Sequence, residues 1–467
     1  MRRFTIAAVL VALISGPAAL TASAAPAVPA ADPVADVTAK LQTIAGLRIE
    51  SSRVVNGKPF FVLRYTQPAD HKNPGGEKFE QRVTLWHREF DRPTVLHTTG
   101  YGGVGGPFTS EPTRLVDGNQ LNVEQRFFNT STPASQDWTK LNIWQAASDH
   151  HRIVEAFKKA LYSGKWVSTG ASKGGMTSVY HRRFYPNDVD ATVAYVAPQD
   201  VINRRDTYID FIQEAGTDPA CNLALRNMQR NTLLRRPAML AKLKEHAAQN
   251  GLTYESTFGT VDRALEAAVL DTPFAFWQYS TQANCAQVPG TAAATDQQLF
   301  DFIDQISGWS FYSDEGTAGF LPYYYQASEQ LNWPDVASKT TWLKGLLRYR
   351  EAGDAPAAVP DSIEPKHQPF AMMDVDLWLK MSGQRMLFVY GENDPWSAEK
   401  FEPGPGTKDS HWYTVPNGNH GSNINALPTE QRAEATQILQ KWMGVAANPA
   451  AAQTKSIDPG AQRQGLR

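Results

Sequence analysis

The stretch at residues 166–186, WVSTGASKGGMTSVYHRRFYP, constrains the fold more than any other. A β-type apolar run leads through Gly170-Ala171-Ser172-Lys173-Gly174 into a helical pattern. Glycines on both sides of the serine let a strand and a helix approach without clashing side chains. The serine itself then sits on a sharp, strained turn, the geometry of a nucleophile elbow. GxSxG alone is a weak signal, because glycine and serine are common, and a plain tight turn is the alternative. The strand–turn–helix setting favours the elbow.

The rest of the chain supplies the framework such an elbow needs. FFVLRYTQ (60–67) and QRVTLWHREF (81–90) read as strands around the turn-rich HKNPGGEK. PTVLHTTGYGGVGGP is a buried strand running into a glycine loop, and LNVEQRFF (121–128) is a further strand. In LNIWQAASDHHRIVEAFKKAL, residues Ile143, Ala147, His150, Val154, Phe157 and Leu161 fall on one helical face. ATVAYVAP (191–198) is a short apolar strand. From about Asp200 the strand signals stop, and aromatic-rich helical runs follow: CNLALRNMQRNTLLRRPAMLAKLKEHAAQ, QQLFDFIDQI and TTWLKGLLRYREA. Strands return at QRMLFVYG (384–391) and HWYTVP (411–416), and PTEQRAEATQILQKWMG is a last helix. Strands alternating with helices, interrupted once by helices alone, predict an α/β sheet (41–199 and 374–444) carrying a helical cap (200–373).

An elbow serine needs a base and an orienting carboxylate, in the chain order Ser, Asp or Glu, His. Asp394 lies just past a strand end in FVYGENDPW, although Asp-Pro is also a common turn or helix cap. His420 lies in the Gly/Asn loop PNGNHGSNI, between the last strand and the last helix. His150, His151 and His181 fall on helices, and His87 and His97 precede the serine. The order Ser172, Asp394, His420 therefore fits, with His420 as general base and Asp394 fixing its tautomer. The oxyanion formed on attack needs two donors. The Lys173 N–H and the Gly100-Tyr101-Gly102-Gly103 loop, at Tyr101 or Gly102, are expected to provide them. Read instead as a phosphate cradle, that loop lacks the Lys-Ser/Thr of a P-loop, and no helix clearly follows it.

MRRFTIAAVLVALISGPAALTASA carries two arginines, an apolar run and a small-residue Ala22-Ser23-Ala24, so residues 1–24 read as a secretory signal peptide. Residues 25–40, rich in Ala and Pro, read as a flexible leader or propeptide, and 445–467 as a disordered tail. A secreted, extracellular protein with no membrane span after signal cleavage is expected. In an oxidising compartment the two cysteines, Cys221 and Cys285, suggest one disulfide inside the helical block. A net charge of -2 argues against nucleic acid as a partner. No CxxC, HExxH or His/Cys cluster with zinc spacing is present, so neither metal nor other cofactor is expected.

Taken together, TGYGG, NVEQRFF with STP, QAASDHHRIVEAFK, GASKGGMTSVYHRRFYP, YYYQASEQLNW, VYGENDPWSA and PNGNHGSNI resemble the secreted bacterial tripeptidyl aminopeptidases of the PS-10 serine peptidase family. A more distant similarity reaches the lysosomal prolyl carboxypeptidases and dipeptidyl peptidases, from which this chain departs at Gln125 and Lys173. The resemblance implies an α/β-hydrolase fold with a helical cap, a triad at Ser172, Asp394 and His420, and release of tripeptides from peptides with a free N-terminus. A buried substrate ammonium needs an anionic partner. Glu124 and Glu329 are the candidates, with Tyr323, Tyr324, Tyr325 and Trp333 as an apolar substrate wall. A secreted esterase or lipase on the same fold is the competing reading, since the elbow does not fix the substrate.

Overall fold

The computed structural model describes residues 33–202, 206–337, 339–349 and 358–448. The signal peptide expected at 1–24, residues 25–32 of the expected leader and residues 449–467 of the expected tail lie outside these. Residues 33–40 depart from the flexible leader. They belong to helix α1 (Pro33–Leu41), whose Val37 and Leu41 are fully buried against Phe61 and Leu63 of the sheet.

The sheet begins with an antiparallel ribbon, β1 (Leu47–Val55), β2 (Lys58–Pro68) and β3 (Lys78–Trp86). β1 is not among the expected strands, because it is an exposed edge without a clear apolar alternation. Its signal is the Asn56-Gly57 pair, both at positive φ (49° and 74°), the dipeptide that closes a two-residue hairpin. Next come β4 (Thr94–Thr98), α2 (Glu111–Val116) and β5 (Asn119–Val123). Thus a short helix does follow the glycine loop. The strand expected at 121–128 ends at Val123, and Phe127 turns out of line at φ 69°.

Beyond the ribbon the sheet is parallel. α3 (Ile143–Ala160), β6 (Trp166–Ala171), α4 (Lys173–Phe184) and β7 (Ala191–Tyr195) lead to the helical block. After it come α12 (Phe370–Ser382), β8 (Met386–Gly391), β9 (His411–Val415) and α13 (Thr429–Trp442), once the block's own helices α5 to α11 are passed. The nine strands run in the order β1-β2-β3-β5-β4-β6-β7-β8-β9. Strand β8 illustrates the layering. Met386, Phe388 and Tyr390 pack towards α4 and α12, whereas Leu387 and Val389 pack towards α13 on the other face. A strand covered on both faces reads as a continuous apolar run, as MLFVYG does. This is the α/β-hydrolase fold.

Between β7 and β8 lie α5 (Tyr208–Glu214), α6 (Pro219–Leu234), α7 (Arg236–Asn250), α8 (Val261–Tyr279), α9 (Asp296–Ile306), α10 (Asp314–Ala318) and α11 (Leu321–Gln326). They share a core of their own that includes Leu225, Met239, Leu265, Phe276 and Trp309. The long run read as one helix from Cys221 divides at Arg235, where Pro237 sits in the first turn of α7. In TTWLKGLLRYREA, only Thr341–Leu343 forms a single 3₁₀ turn, and the described remainder is not helical. The expected boundary at 373 falls inside α12, whose Met372, Val375 and Leu379 pack with the sheet. Cys221 and Cys285 form a disulfide that spans 64 residues of this block. Among the described residues no helix is long and apolar enough to cross a membrane.

Candidate active site

Ser172 stands between β6 and α4 at φ 54° and ψ −130°, a backbone conformation that L residues rarely adopt. Its N–H donates to the Tyr195 carbonyl at 2.9 Å, and its carbonyl accepts from the Met176 N–H at 3.0 Å. Two glycines make this turn possible. A Cβ on Gly174 would lie 2.4 Å from the Thr98 carbonyl oxygen, and one on Gly100, at φ 72°, would lie 2.6 Å from the Gly174 nitrogen. The elbow and the glycine loop after β4 are therefore pressed backbone to backbone.

Lys173, the first residue of α4, is 1% exposed. Its ammonium donates to the Gly100 carbonyl and lies 5.3 Å from the Tyr101 ring centre and 5.2 Å from that of Phe128. Burial pushes its pKa down to about 7. A lysine next to the nucleophile is thus tied to the loop that faces the nucleophile. Sequence reading assigns Lys173 only a backbone N–H, because burial of one side chain leaves no periodic trace. Burial also pushes the Tyr101 phenol far up, while the neighbouring Ser172 and Tyr323 hydroxyls oppose this by hydrogen bonding.

Asp394 follows β8 and is fully buried. It caps the 3₁₀ turn Pro395–Ser397, accepting from the Trp396 N–H at 3.2 Å and the Ser397 hydroxyl at 3.2 Å. Its carboxylate also receives His420 Nδ1 at 2.9 and 3.0 Å. His420 lies in the loop between β9 and α13. Its Nε2 is buried and bonded to no other described side chain or backbone group. The loop is held from two sides. The His420 N–H donates to the Gln278 carbonyl of α8 at 3.0 Å. Buried Glu111 of α2 accepts from the Ile424 and Asn425 N–H groups at 2.9 and 2.8 Å.

Ser172, His420, Tyr101 and Gly102 line one cavity of about 380 Å³. That volume suits a small ligand rather than a folded chain. The helical block closes it with Phe274, Gln278 and Tyr279 of α8 and with Tyr323 and Tyr324 of α11. Of the expected aromatic wall, Tyr323, Tyr324 and Trp333 reach the cavity, and both tyrosine ring centres lie about 5.5 Å from that of Trp333. Tyr325 faces away and donates to Glu329.

The two glutamates expected to hold a substrate amine are elsewhere. Glu124 is buried behind the loop, accepting from Ser131 Oγ at 2.7 Å and Asn129 Nδ2 at 3.1 Å. Glu329 accepts from the Tyr325 hydroxyl at 3.0 Å and from Gln368 Nε2 at 3.3 Å. Neither is among the residues lining the cavity. A carboxylate that does line it is Asp271 of α8, which the sequence reading passes over.

The PS-10 peptidase S37 family matches residues 30–464. A prolyl tri/tetrapeptidyl aminopeptidase from Streptomyces mobaraensis is 47% identical over 430 residues, covering 91% of this chain and 89% of that protein. Among solved structures the chain is similar to a peroxisomal alpha-beta-hydrolase from Saccharomyces cerevisiae, with 11% identity and a TM-score of 0.36, covering 86% of this chain and 94% of that one. It is also similar to epoxide hydrolase A from Mycobacterium thermoresistibile, with 13% identity and a TM-score of 0.34, covering 86% and 100%.

Proposed function

The chain belongs to the PS-10 peptidase S37 family and is a serine peptidase, and from that premise we propose that it is a secreted exopeptidase releasing tripeptides from free N-termini through an acyl-enzyme. The observation that carries this reading is one cavity, roofed by helices, lined by a strained Ser172 and by a histidine already paired with a buried aspartate.

In this reading, His420 Nε2 takes the Ser172 hydroxyl proton as the oxygen attacks the scissile carbonyl. The imidazolium so formed is stabilised by Asp394, which stays ionised and holds the proton-bearing Nδ1 towards itself. The oxyanion is received by the Lys173 N–H, together with the Tyr101 or Gly102 N–H from the facing loop. The proton on Nε2 then passes to the leaving amine, and water repeats the sequence on the ester. Among the described residues Nε2 has no hydrogen-bond partner, and the Ser172 hydroxyl sits beside Tyr101; catalytic bonds of this kind commonly tighten only when substrate binds.

The helical block between β7 and α12 acts as a cap. It admits a peptide end and excludes folded surfaces. The aromatic lining suits apolar side chains, and the prolyl relative makes a peptide with proline before the cleaved bond the first to try. The secretory reading of residues 1–24 and the disulfide support an extracellular site of action. Mass spectrometry of the products from unblocked and N-acetylated peptides, with a fatty-acyl ester run beside them, tests the proposal. Tripeptides from the unblocked peptide alone are expected. Preference for the blocked peptide or the ester would return the assignment to an endopeptidase or an esterase.

A further inference from the structure

Helix α8 presents one stripe to the cavity: Ala267, Asp271, Phe274, Ala275, Gln278 and Tyr279, at steps of four, three, one, three and one. This is a single helical face. Five of its members are small, apolar or neutral, and the sixth is a carboxylate. Among the described residues lining the cavity Asp271 is the one carboxylate, and there is no lysine or arginine. Its Oδ2 accepts from the Tyr312 hydroxyl at 2.6 Å, and no other hydrogen bond or ion pair involves it among the described residues. Enclosure raises its pKa to about 6, with the Tyr312 bond working the other way, so it is mostly ionised at neutral pH. A carboxylate placed on an apolar cavity wall with one neutral partner is costly unless something cationic enters.

Resting on the exopeptidase reading above, we infer that Asp271 binds the α-ammonium of the substrate and, through its position on α8, sets the length of the fragment released. The distance supports this. Gln278 lies seven residues further along the same face, and its carbonyl accepts the His420 N–H at 3.0 Å. Seven residues of α-helix rise about 10 Å. An extended peptide covers about 3.4 Å per residue, so three residues span about 10 Å, two about 7 Å and four about 14 Å. An amine held at Asp271 therefore brings the third residue's carbonyl to the catalytic end of the cavity. A dipeptide falls short, and a tetrapeptide must bend. The Tyr312 hydroxyl fixes one carboxylate oxygen and leaves the other for the ammonium.

The test compares kcat/KM on a chromogenic Ala-Ala-Pro anilide with a free amine and on its N-acetyl form, in the wild type and in Asp271→Asn. Asparagine keeps the shape and can still accept from Tyr312, so a purely structural role for Asp271 would leave the ratio of the two substrates unchanged. The expected result is a loss of about tenfold or more on the free amine alone, bringing the ratio towards one. Retention of the wild-type ratio by Asp271→Asn overturns the inference while leaving the exopeptidase reading intact. A wild type without preference for the free amine overturns that reading and the inference with it. Should the asparagine variant not fold, Asp271→Ser, which also removes the charge, gives the same readout. In the wild type, anilides of two, three and four residues ending in proline should peak at three, and a peak at two would contradict the spacing argument.

Discussion

At the scale of single residues, the proposed mechanism asks Ser172 to act as one group with Asp394 and His420, which lie more than two hundred positions further along the chain. Ser172→Ala removes the attacking oxygen and leaves the turn's backbone demand unchanged, so a fall in kcat of about 10⁴-fold or more with unaltered melting is expected. Asp394→Asn is expected to lower kcat by a similar order with little change in KM, since the amide holds the wrong tautomer of His420. A variant that keeps wild-type turnover in either case removes that residue from the mechanism. Lys173 poses a different question. Its ammonium joins Gly100 to the first turn of α4, so Lys173→Met should lower kcat by about tenfold or more while sparing KM, because the loop donors drift from the oxyanion. Its titration gives a second readout. The folded value of about 7 lies below the unfolded value of about 10.4, so between those pH values the unfolded chain holds more protons. Wild-type stability should accordingly rise relative to Lys173→Met from about pH 7 to about pH 10, by at most about 1.4 kcal/mol per unit. Paired thermal melts across that range check this, and a flat difference would mean that the buried ammonium keeps its proton throughout.

At the scale of elements, the site depends on loops held by neighbours from distant parts of the chain. The His420 loop is tied to α2 through Glu111 and to α8 through the Gln278 carbonyl. Just beyond the end of α8, the disulfide joins Cys285 to Cys221 on α6. Closing a loop of 64 residues removes about 4 kcal/mol of denatured-chain entropy in the chain-entropy model. The Cys221→Ser, Cys285→Ser double variant should therefore melt several degrees lower, and if α8 loosens, kcat should fall in parallel; an unchanged melting temperature would show that α6 and α8 hold without the bond. Elements of this kind also show what sequence can and cannot reveal. The elbow, the strand before Asp394 and the loop of His420 are legible because short-range chemistry writes them: glycines where backbones meet, an apolar run, a Gly/Asn loop. Helix α8 is not, because it is apolar on nearly every side and contains Pro273, which reads as an interruption. The structure accommodates that proline by having Gln229 Nε2 donate to the Val269 carbonyl, which proline leaves without its helical N–H. That compensation comes from α6, forty positions away, and no local pattern could announce it. Asp271, lying two residues before the proline, goes unread for the same reason.

At the scale of the whole molecule, the question is why a serine peptidase should carry a second hydrophobic core. The sheet already positions the elbow, and its two faces are covered by α3, α4 and α12 on one side and by α2 and α13 on the other. Among the described residues the helical block adds no strand to that sheet. It has its own core, and it meets the catalytic layer through Tyr279, whose ring centre lies 6.3 Å from that of His420, and through Trp333 against Trp396 at 5.8 Å. In the proposed reading its effect is on access. A cavity of about 380 Å³ receives a few residues of extended chain and nothing with secondary structure. On that reading, hydrolysis requires the substrate to bring a free, unfolded end to Ser172. A protein with its first residues paired in a sheet should resist cleavage at any enzyme concentration that empties a short peptide of the same N-terminal sequence. Unfolding that protein, by reduction or by a destabilising mutation, should open only its N-terminus, with residues leaving in steps set by the cavity. Intact-mass measurements on the folded and unfolded forms of one protein distinguish the possibilities. Stepwise loss from the unfolded form alone is expected, whereas internal fragments from the folded form would mean that the block opens wide, and that fragment length is not set by a fixed cavity.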